Sequence, residues 1–411
     1  MEMNAIYCGH ARDVLMHQIG TESVDLIYLD PPFFSEKNYE LVWGNGYELK
    51  AYEDRWLGGI ENYIAWMEPI LRECHRVLKK TGSIYLQCDW HADAHLRLLL
   101  DKIFAESNKK NFLNAIVWWY HDPAGTVKNR FKKKHDTILF YAKDYPNQVF
   151  NCDDVRTPYK QGTIEQGEKG YISFGRPVET HPKGKVREDV WEIPFINSQS
   201  KERLGYPTQK PEALLEVIIK ASSIEGAVVL DPMSGGGTTA AVAQKLGRQW
   251  IAIDVSPLAC QMTERRLRKL GVSPRLIGMP MSIKSLRALE PFVFQSWVIE
   301  KLYGHPSPKK VGDKGIDGFL PDGRPLQVKR SDGVGRNVVD NFETAIDRMG
   351  KKEGMIVAFS FGKGAHEEVA RIKNSKSVNV ELKTVEQILE DMGAHDEELE
   401  ALEWADKHEE E

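Results

Sequence analysis

The chain has 411 residues, 41% hydrophobic and 28% charged, enough for two or three domains of ordinary composition. No apolar run nears the roughly 18 residues of a membrane span. The N-terminus lacks a signal-peptide pattern, and five scattered cysteines (Cys8, Cys74, Cys88, Cys152, Cys260) argue for a reducing cytoplasm and against structural zinc. The net charge of −5 is local to the end: residues 396–411 hold nine acidic groups and one lysine, so the remaining chain is about +3, compatible with a polyanionic partner.

In chain order, residues 5–8 and 24–29 read as short strands. The spacing of Ile64, Met67, Ile70, Leu71, Cys74, Val77 and Leu78 predicts a helix over 61–79, stopped by Thr81-Gly82. A strand over 83–88, a helix over 91–104 and β-rich segments at 115–119 and 137–141 follow. Residues 143–207 are rich in Gly, Pro and charge and read as a loop-rich insert. Pro211 opens a helix over 212–222. A strand (227–230), glycine loop, helix (238–246) and strand (249–253) come next. Residues 291–384 read as a separate small α/β domain, with a helix over 292–302 and strands near 325–329 and 355–360. The acidic tail, 391–411, reads as a solvated, frayed end.

Two loops carry the chemistry. Gly235-x-Gly237-x-x-Ala240 after a strand matches a dinucleotide-binding fingerprint, and Asp254 ends the next strand, where a carboxylate can accept ribose hydroxyls. A nicotinamide cofactor is the obvious rival. Asp231, just ahead of the glycines, would repel a pyrophosphate and attract a cationic amino-acid end, which favours S-adenosylmethionine. The second loop is Asp30-Pro31-Pro32-Phe33, after the strand 24–29. A base amino group is a poor nucleophile because its lone pair is delocalised. Hydrogen bonds to the Asp30 carboxylate and the Pro31 carbonyl favour its pyramidal form. The prolines stiffen the loop, and Phe33 can stack on an extruded base.

These segments resemble the β-class amino-methyltransferases of DNA, which modify adenine N6 or cytosine N4, over about residues 1–275. That family also places its catalytic loop first and its cofactor loop last. Its cofactor loop is similar to Asp231–Thr239, and the resemblance implies cofactor contacts at Asp231, Ser234, Gly235, Gly237, Thr238 and Asp254. A segment similar to 206–211 holds the cofactor's methionine end there, which implies Thr208, Gln209 and Lys210. Segments 83–89 and 135–141 also match. This chain departs from the family in having His10 after Gly9, and Met233 and Gly236 in the cofactor loop. Asp-Pro-Pro loops go more often with adenine. The expected fold is a Rossmann-like α/β methyltransferase sheet with helices on both faces, as a 1–280 domain. Its insert, about 143–205, corresponds to the region that reads the target sequence.

The expected partner is double-stranded DNA, with a homodimer left open. Lys128, Arg130, Lys132, Lys133 and Lys134 stand beside Trp118-Trp119-Tyr120 and suit phosphate and unstacked-base contact. The plainer alternative is a solvated basic face with the aromatics in the core. In a 285–390 domain, Asp317, Gln327 and Lys329 resemble the core of Mrr-like restriction nucleases. That resemblance implies a candidate Mg²⁺ site at Asp317, while a helix acid could fall at Gln295 or Glu300. A working nuclease in a fused restriction–modification enzyme, a retired nuclease fold kept for DNA binding, and a chance match all stay open.

Overall fold

The computed structural model describes residues 1–392, apart from 36, 44–46, 55, 57, 121–126, 169–171, 174–175, 178–179, 198, 205, 207 and 308–314. The acidic run 396–411 lies outside the described residues. The chain divides into two compact units, Met1–Asn38 with Glu53–Gly278, and Tyr39–Tyr52 with Met279–Glu411. No described helix is long and apolar enough to cross a membrane.

The first elements are β1 (Ala5–Cys8), α1 (Ala11–Gln18) and β2 (Val24–Leu29). β3 (Lys37–Trp43) and β4 (Tyr47–Asp54) form a two-stranded ribbon that no sequence pattern above anticipates. α2 (Gly59–Val77) buries Tyr63, Met67, Ile70, Leu71, Cys74 and Val77 along one stripe. It ends before Thr81-Gly82, because β5 (Leu78–Cys88) already runs through that pair. Gly82 serves the strand instead: a Cβ there would lie 2.8 Å from the Asp25 carbonyl oxygen.

α3 (Asp93–Phe104) precedes β6 (Phe112–Trp119) and β7 (His135–Ala142). Within the loop-rich stretch lie α4 (Gln161–Glu168), the small pair β8 (Ile172–Ser173) and β9 (Arg176–Pro177), and β10 (Val190–Glu192). Then come α5 (Glu212–Ser222), β11 (Val228–Asp231), α6 (Thr238–Lys245), β12 (Gln249–Asp254), α7 (Pro257–Arg268) and β13 (Arg275–Ile277). The Ser256 side chain caps α7 and Pro257 occupies its first turn, a start signal present in the sequence.

Nine described strands make one mixed sheet in the order β10-β6-β7-β5-β2-β11-β12-β1-β13. β7 runs antiparallel to both β5 and β6, and the other pairings are parallel. Alternate residues serve opposite faces. Ile27, Leu29, Ile84 and Leu86 share one core with Leu15 of α1, Met67 of α2 and Leu96 of α3. Tyr85, between Ile84 and Leu86, bonds its hydroxyl to Ser222 of α5 at 2.7 Å. Helices therefore cover both faces. From β2 the chain crosses to β5 on one side, and from β11 to β12 on the other. The carboxyl ends of β2 and β11 thus flank a topological switch point, where open α/β sheets bind ligands.

The second unit holds α8 (Ile283–Ala288), α9 (Pro291–Lys301), β14 (His305–Pro306), β15 (Gly318–Phe319), β16 (Pro325–Lys329), α10 (Arg336–Arg348), β17 (Glu353–Ala358), α11 (Lys363–Lys376) and β18 (Asn379–Thr384). Its sheet runs β14-β15-β16-β17-β18, antiparallel in the first two pairings and parallel in the last two. One core gathers Trp297, Leu326 and Val357, and another Phe342, Ile346 and Ile356.

Candidate active site

Asp30 follows the last residue of β2, and Asp231 ends β11, the next strand in the sheet. The two carboxyl groups repel one another: burial raises the Asp231 pKa, and the Asp30 charge raises it further. The Asp30-Pro31-Pro32-Phe33 loop is anchored from α2, where the Tyr63 hydroxyl donates to the Pro32 carbonyl at 2.7 Å. That bond contributes about 1 kcal/mol. Tyr63 is fully buried and packs edge-on to Trp56 at 5.0 Å. Phe34, just past the loop, sits at φ +61, a left-handed conformation costing a bulky residue about 1–3 kcal/mol. The loop is held by its surroundings, as a substrate-positioning loop must be.

Burial pushes the Asp30 pKa up, and the Lys210 ammonium beside it acts in the opposite direction. Oδ2 of Asp30 takes the Lys210 ammonium, while Oδ1 is buried with no hydrogen-bond partner. Lys210 also donates to the Thr208 carbonyl at 3.2 Å and lies 5.3 Å from the centre of the Phe33 ring. The sequence reading assigns Lys210 to the cofactor's methionine end; here its charge is on the Asp30 loop. Gln209 is engaged within its own segment: its amide donates to the Glu202 carbonyl at 2.7 Å and accepts from the Leu204 N–H at 2.8 Å.

The glycine loop is built from β11, α6 and β12. Gly235 (φ +48) and Gly237 (φ +70) are left-handed, and a Cβ on Gly235 would lie 2.9 Å from the Tyr206 ring. Tyr206 therefore closes over the loop, so glycine is needed here for protein packing as well as for ligand approach. The Gly235 N–H donates to Asp254 at 2.8 Å, and the Ser256 N–H to its other oxygen at 2.8 Å. Asp231 accepts from the Thr239 hydroxyl at 2.5 Å and the Met233 N–H at 3.1 Å. Burial raises the Asp231 pKa to about 7 and the Asp254 pKa to about 6. Sequence reasoning missed Arg266, whose buried guanidinium donates to the Gly236 carbonyl (3.2 Å), the Thr238 hydroxyl (2.9 Å) and Glu212 (2.9 Å). The Thr238 hydroxyl in turn donates to the Lys210 carbonyl at 3.2 Å, joining the glycine loop to the Lys210 segment.

This donor set fits S-adenosylmethionine. Asp231, buried, and Asp254, half-buried, both with raised pKa values, suit a cationic ligand that also carries hydroxyl donors, and the buried Ser234 Oγ has no hydrogen-bond partner.

Past the carboxyl end of β5, the strand beside β2, a cavity of about 560 Å³ is lined by Trp90, Tyr120, Arg130, Lys132, Lys133 and Asp136, among others. A relay runs behind it: the Tyr28 hydroxyl donates to Gln87 at 2.5 Å, and Gln87 donates to Asp136 at 2.7 Å. Lys128, Arg130, Lys132 and Lys133 are exposed and Lys134 is half-buried. The neighbouring aromatics divide. Trp118 is a buried core residue bonded to the Ile193 carbonyl at 2.8 Å, whereas Trp119 is partly exposed. Trp118 thus follows the plainer alternative, because β6 turns it inward.

In the second unit, Asp317 precedes β15, while Gln327 and Lys329 lie on β16. The Val328 N–H donates to Asp317 Oδ2 at 2.7 Å. Gln327 donates to the Gly315 carbonyl at 2.6 Å and keeps a buried Oε1 without a hydrogen-bond partner. Among the described residues no group of three or more His, Cys, Asp or Glu stands ready to hold a metal ion.

A mixed methyltransferase-like sheet with a carboxylate loop and a glycine loop at its switch point defines an enzyme that brings an amino nitrogen to an adenosyl cofactor. Residues 24–265 match the DNA methylase family, and the chain belongs to it: it is an S-adenosylmethionine-dependent DNA amino-methyltransferase. It is 34% identical to the DNA adenine methyltransferase YhdJ of Escherichia coli, over 61% of this chain and 79% of that protein. It is 29% identical to the type II methyltransferase M.HinfI of Haemophilus influenzae, over 85% of this chain and 88% of the other. Among solved structures, it is similar to a DNA modification methylase of Thermus thermophilus complexed with S-adenosyl-L-methionine (22% identity, TM-score 0.42, 66% of this chain and 97% of that one).

Proposed function

We propose that this enzyme methylates adenine N6 in double-stranded DNA, with Asp30 and the Pro31 carbonyl receiving the amino group. The observation that carries the reading is the buried Asp30 Oδ1, without a hydrogen-bond partner, at the end of β2 with Phe33 beside it. Two acceptors localise the nitrogen lone pair. Phe33 stacks on the base once it leaves the duplex. S-adenosylmethionine supplies a methyl group made electrophilic by its sulfonium charge. The methylated nitrogen is acidic and releases its proton without a dedicated base. Asp254 takes the ribose hydroxyls, and Asp231, Ser234, Gly235, Gly237 and Thr238 border the cofactor. Thr208 borders the methionine end, Gln209 braces that segment, and Lys210 ties it to the Asp30 carboxylate. An aspartate in the catalytic loop supports adenine over cytosine, and so does the likeness to an adenine methyltransferase.

The basic residues 128–134 hold phosphates in this reading, and the stretch 143–205 selects the target sequence. The test is to incubate unmodified genomic DNA with the protein and map modified bases by single-molecule sequencing. N6-methyladenine at one short motif is expected. N4-methylcytosine would overturn the base choice, and unmodified DNA the whole reading.

For residues 285–390 we propose a nuclease-derived module that binds DNA without cutting it. Asp317 is engaged by a backbone N–H, and Gln327 brings no charge, so the residues do not fit a Mg²⁺ site. The likeness to M.HinfI spans more of this chain than residues 1–278, so a relative named as a methyltransferase aligns into this unit.

A further inference from the structure

Trp90 lies between β5 and α3, on the rim of the 560 Å³ cavity, and is 51% exposed. Phe33, Phe34 and Tyr120 are half-buried, whereas Trp90 is presented to solvent. One face of its ring is occupied: the Lys133 ammonium stands 2.7 Å from the ring centre. His91 packs on it at 3.6 Å and is fixed in turn by Asp89 at 2.8 Å. The cavity is therefore lined by an exposed indole and by three cations, Arg130, Lys132 and Lys133, the last of them on the indole itself. Its size lies within the range of sites that hold small organic molecules. Its Asp136 carboxylate is already engaged, accepting from Gln87 at 2.7 Å and Tyr120 at 3.2 Å. With Asp136 so engaged and Asp89 held by His91, the indole and the cations offer stacking and phosphate contact, a combination that suits an unstacked nucleotide whatever its base.

We propose that this cavity is a second nucleotide site, holding a nucleotide that flanks the target, with its base stacked on Trp90 and its phosphate on Lys133. The ammonium that covers the indole in the free protein moves to the phosphate and uncovers the ring for the base. Lys133 thus keeps an exposed aromatic face shielded until DNA arrives. The site rests on the reading that Asp30–Phe33 receives an extruded base, since a neighbouring base is free to stack on protein only when the local duplex stack is opened.

The experiment uses the full chain and a fluorescent duplex carrying the mapped methylation motif, with Trp90→Ala, Trp90→Phe and Lys133→Ala. Trp90→Ala should bind the duplex about tenfold more weakly, with Trp90→Phe recovering most of the loss. Its dependence on salt should match wild type, whereas Lys133→Ala should reduce the salt slope by about one. S-adenosylmethionine affinity, measured alongside, should stay unchanged in all three and certifies the fold. An abasic scan then locates the nucleotide. At one flanking position, base removal should weaken wild type but not Trp90→Ala, and exchanging that base for any other should change little. Unaltered binding by Trp90→Ala, or the same abasic profile in both proteins, overturns the second site. If wild type methylates the motif while these arms fail, only this inference falls; if wild type methylates no DNA, the catalytic reading falls with it.

Discussion

Lys210 and Asp30 are 180 residues apart in the chain, yet the Lys210 ammonium is hydrogen-bonded to the Asp30 carboxylate, with both side chains largely buried. The ammonium takes one oxygen of the carboxylate and leaves the other, Oδ1, for the base amino group in the proposed reading. Removing one partner of such a pair leaves a buried charge that costs several kcal/mol, so a lone Asp30 would protonate rather than remain charged.

The first expected outcome follows from that pair. Burial raises the Asp30 pKa and Lys210 lowers it. Lys210→Met removes the lowering influence, so the carboxylate form, which the amino group needs, appears only at higher pH. The acid limb of the kcat profile should move to higher pH, while Lys210→Arg should keep it near its original position. An unmoved limb in Lys210→Met would show that Asp30 does not set it.

Asp30→Ala should abolish methyl transfer and leave S-adenosylmethionine binding largely intact. Single-turnover transfer measures the first and calorimetry the second. Transfer above about a tenth of the normal rate would mean less than about 1.4 kcal/mol of barrier change and would remove Asp30 from its role.

Asp231 and Asp254 titrate at about 7 and about 6 in the free protein, both raised by burial. A raised carboxylate pKa favours the folded chain at low pH, and that contribution is lost as pH climbs from about 4 to about 7. A cationic ligand reverses the preference by stabilising the ionised forms. S-adenosylmethionine should therefore bind more tightly as pH rises from about 5.5 to about 7.5, with net proton release. Calorimetry in buffers of different ionisation enthalpy reads that release directly, and proton uptake would contradict the charge argument. Asp254→Ala should weaken binding more than it slows the bound complex, because a ribose contact is shared by ground and transition states.

In the second unit, Lys329→Ala should leave methyl transfer unchanged, and wild-type protein should leave both unmodified and methylated DNA intact at every Mg²⁺ concentration. Gel analysis of a plasmid carrying the motif checks both. Cutting by wild type that disappears in Lys329→Ala would restore the nuclease reading.

Local pattern and pairing at a distance account for what the sequence revealed of this fold. The 3.6-residue stripe of α2, the runs 24–29 and 227–230, and the two loops that follow them are all encoded within a dozen residues. The same spacing in Val339, Phe342, Ala345 and Ile346 marks α10, a helix absent from the expectations above. By contrast, the antiparallel insertion of β7 between β5 and β6, the Lys210–Asp30 pair and the Arg266 brace depend on partners that only the fold brings together. Trp90 was hidden for another reason: in sequence an exposed tryptophan beside a helix start looks like any core aromatic.

The strand order also constrains how the enzyme comes into being. Of the described strands β1 is synthesised before all the others, but both its neighbours, β12 and β13, come from residues 249–277. β2 likewise waits for β11 to take its place at the centre of the sheet. Until then the emerging chain carries open strand edges and half a site, and long-range pairings of this kind are slow to close. A ribosome stalled before residue 228 would hold the Asp30–Phe33 loop with no glycine loop opposite it, so methylating power should arise only after β11 and β12 have been made. The same order suggests a reagent: two fragments divided within 143–205, each inert alone, should regain activity when the second supplies β11 and β12 to the gap left in the first.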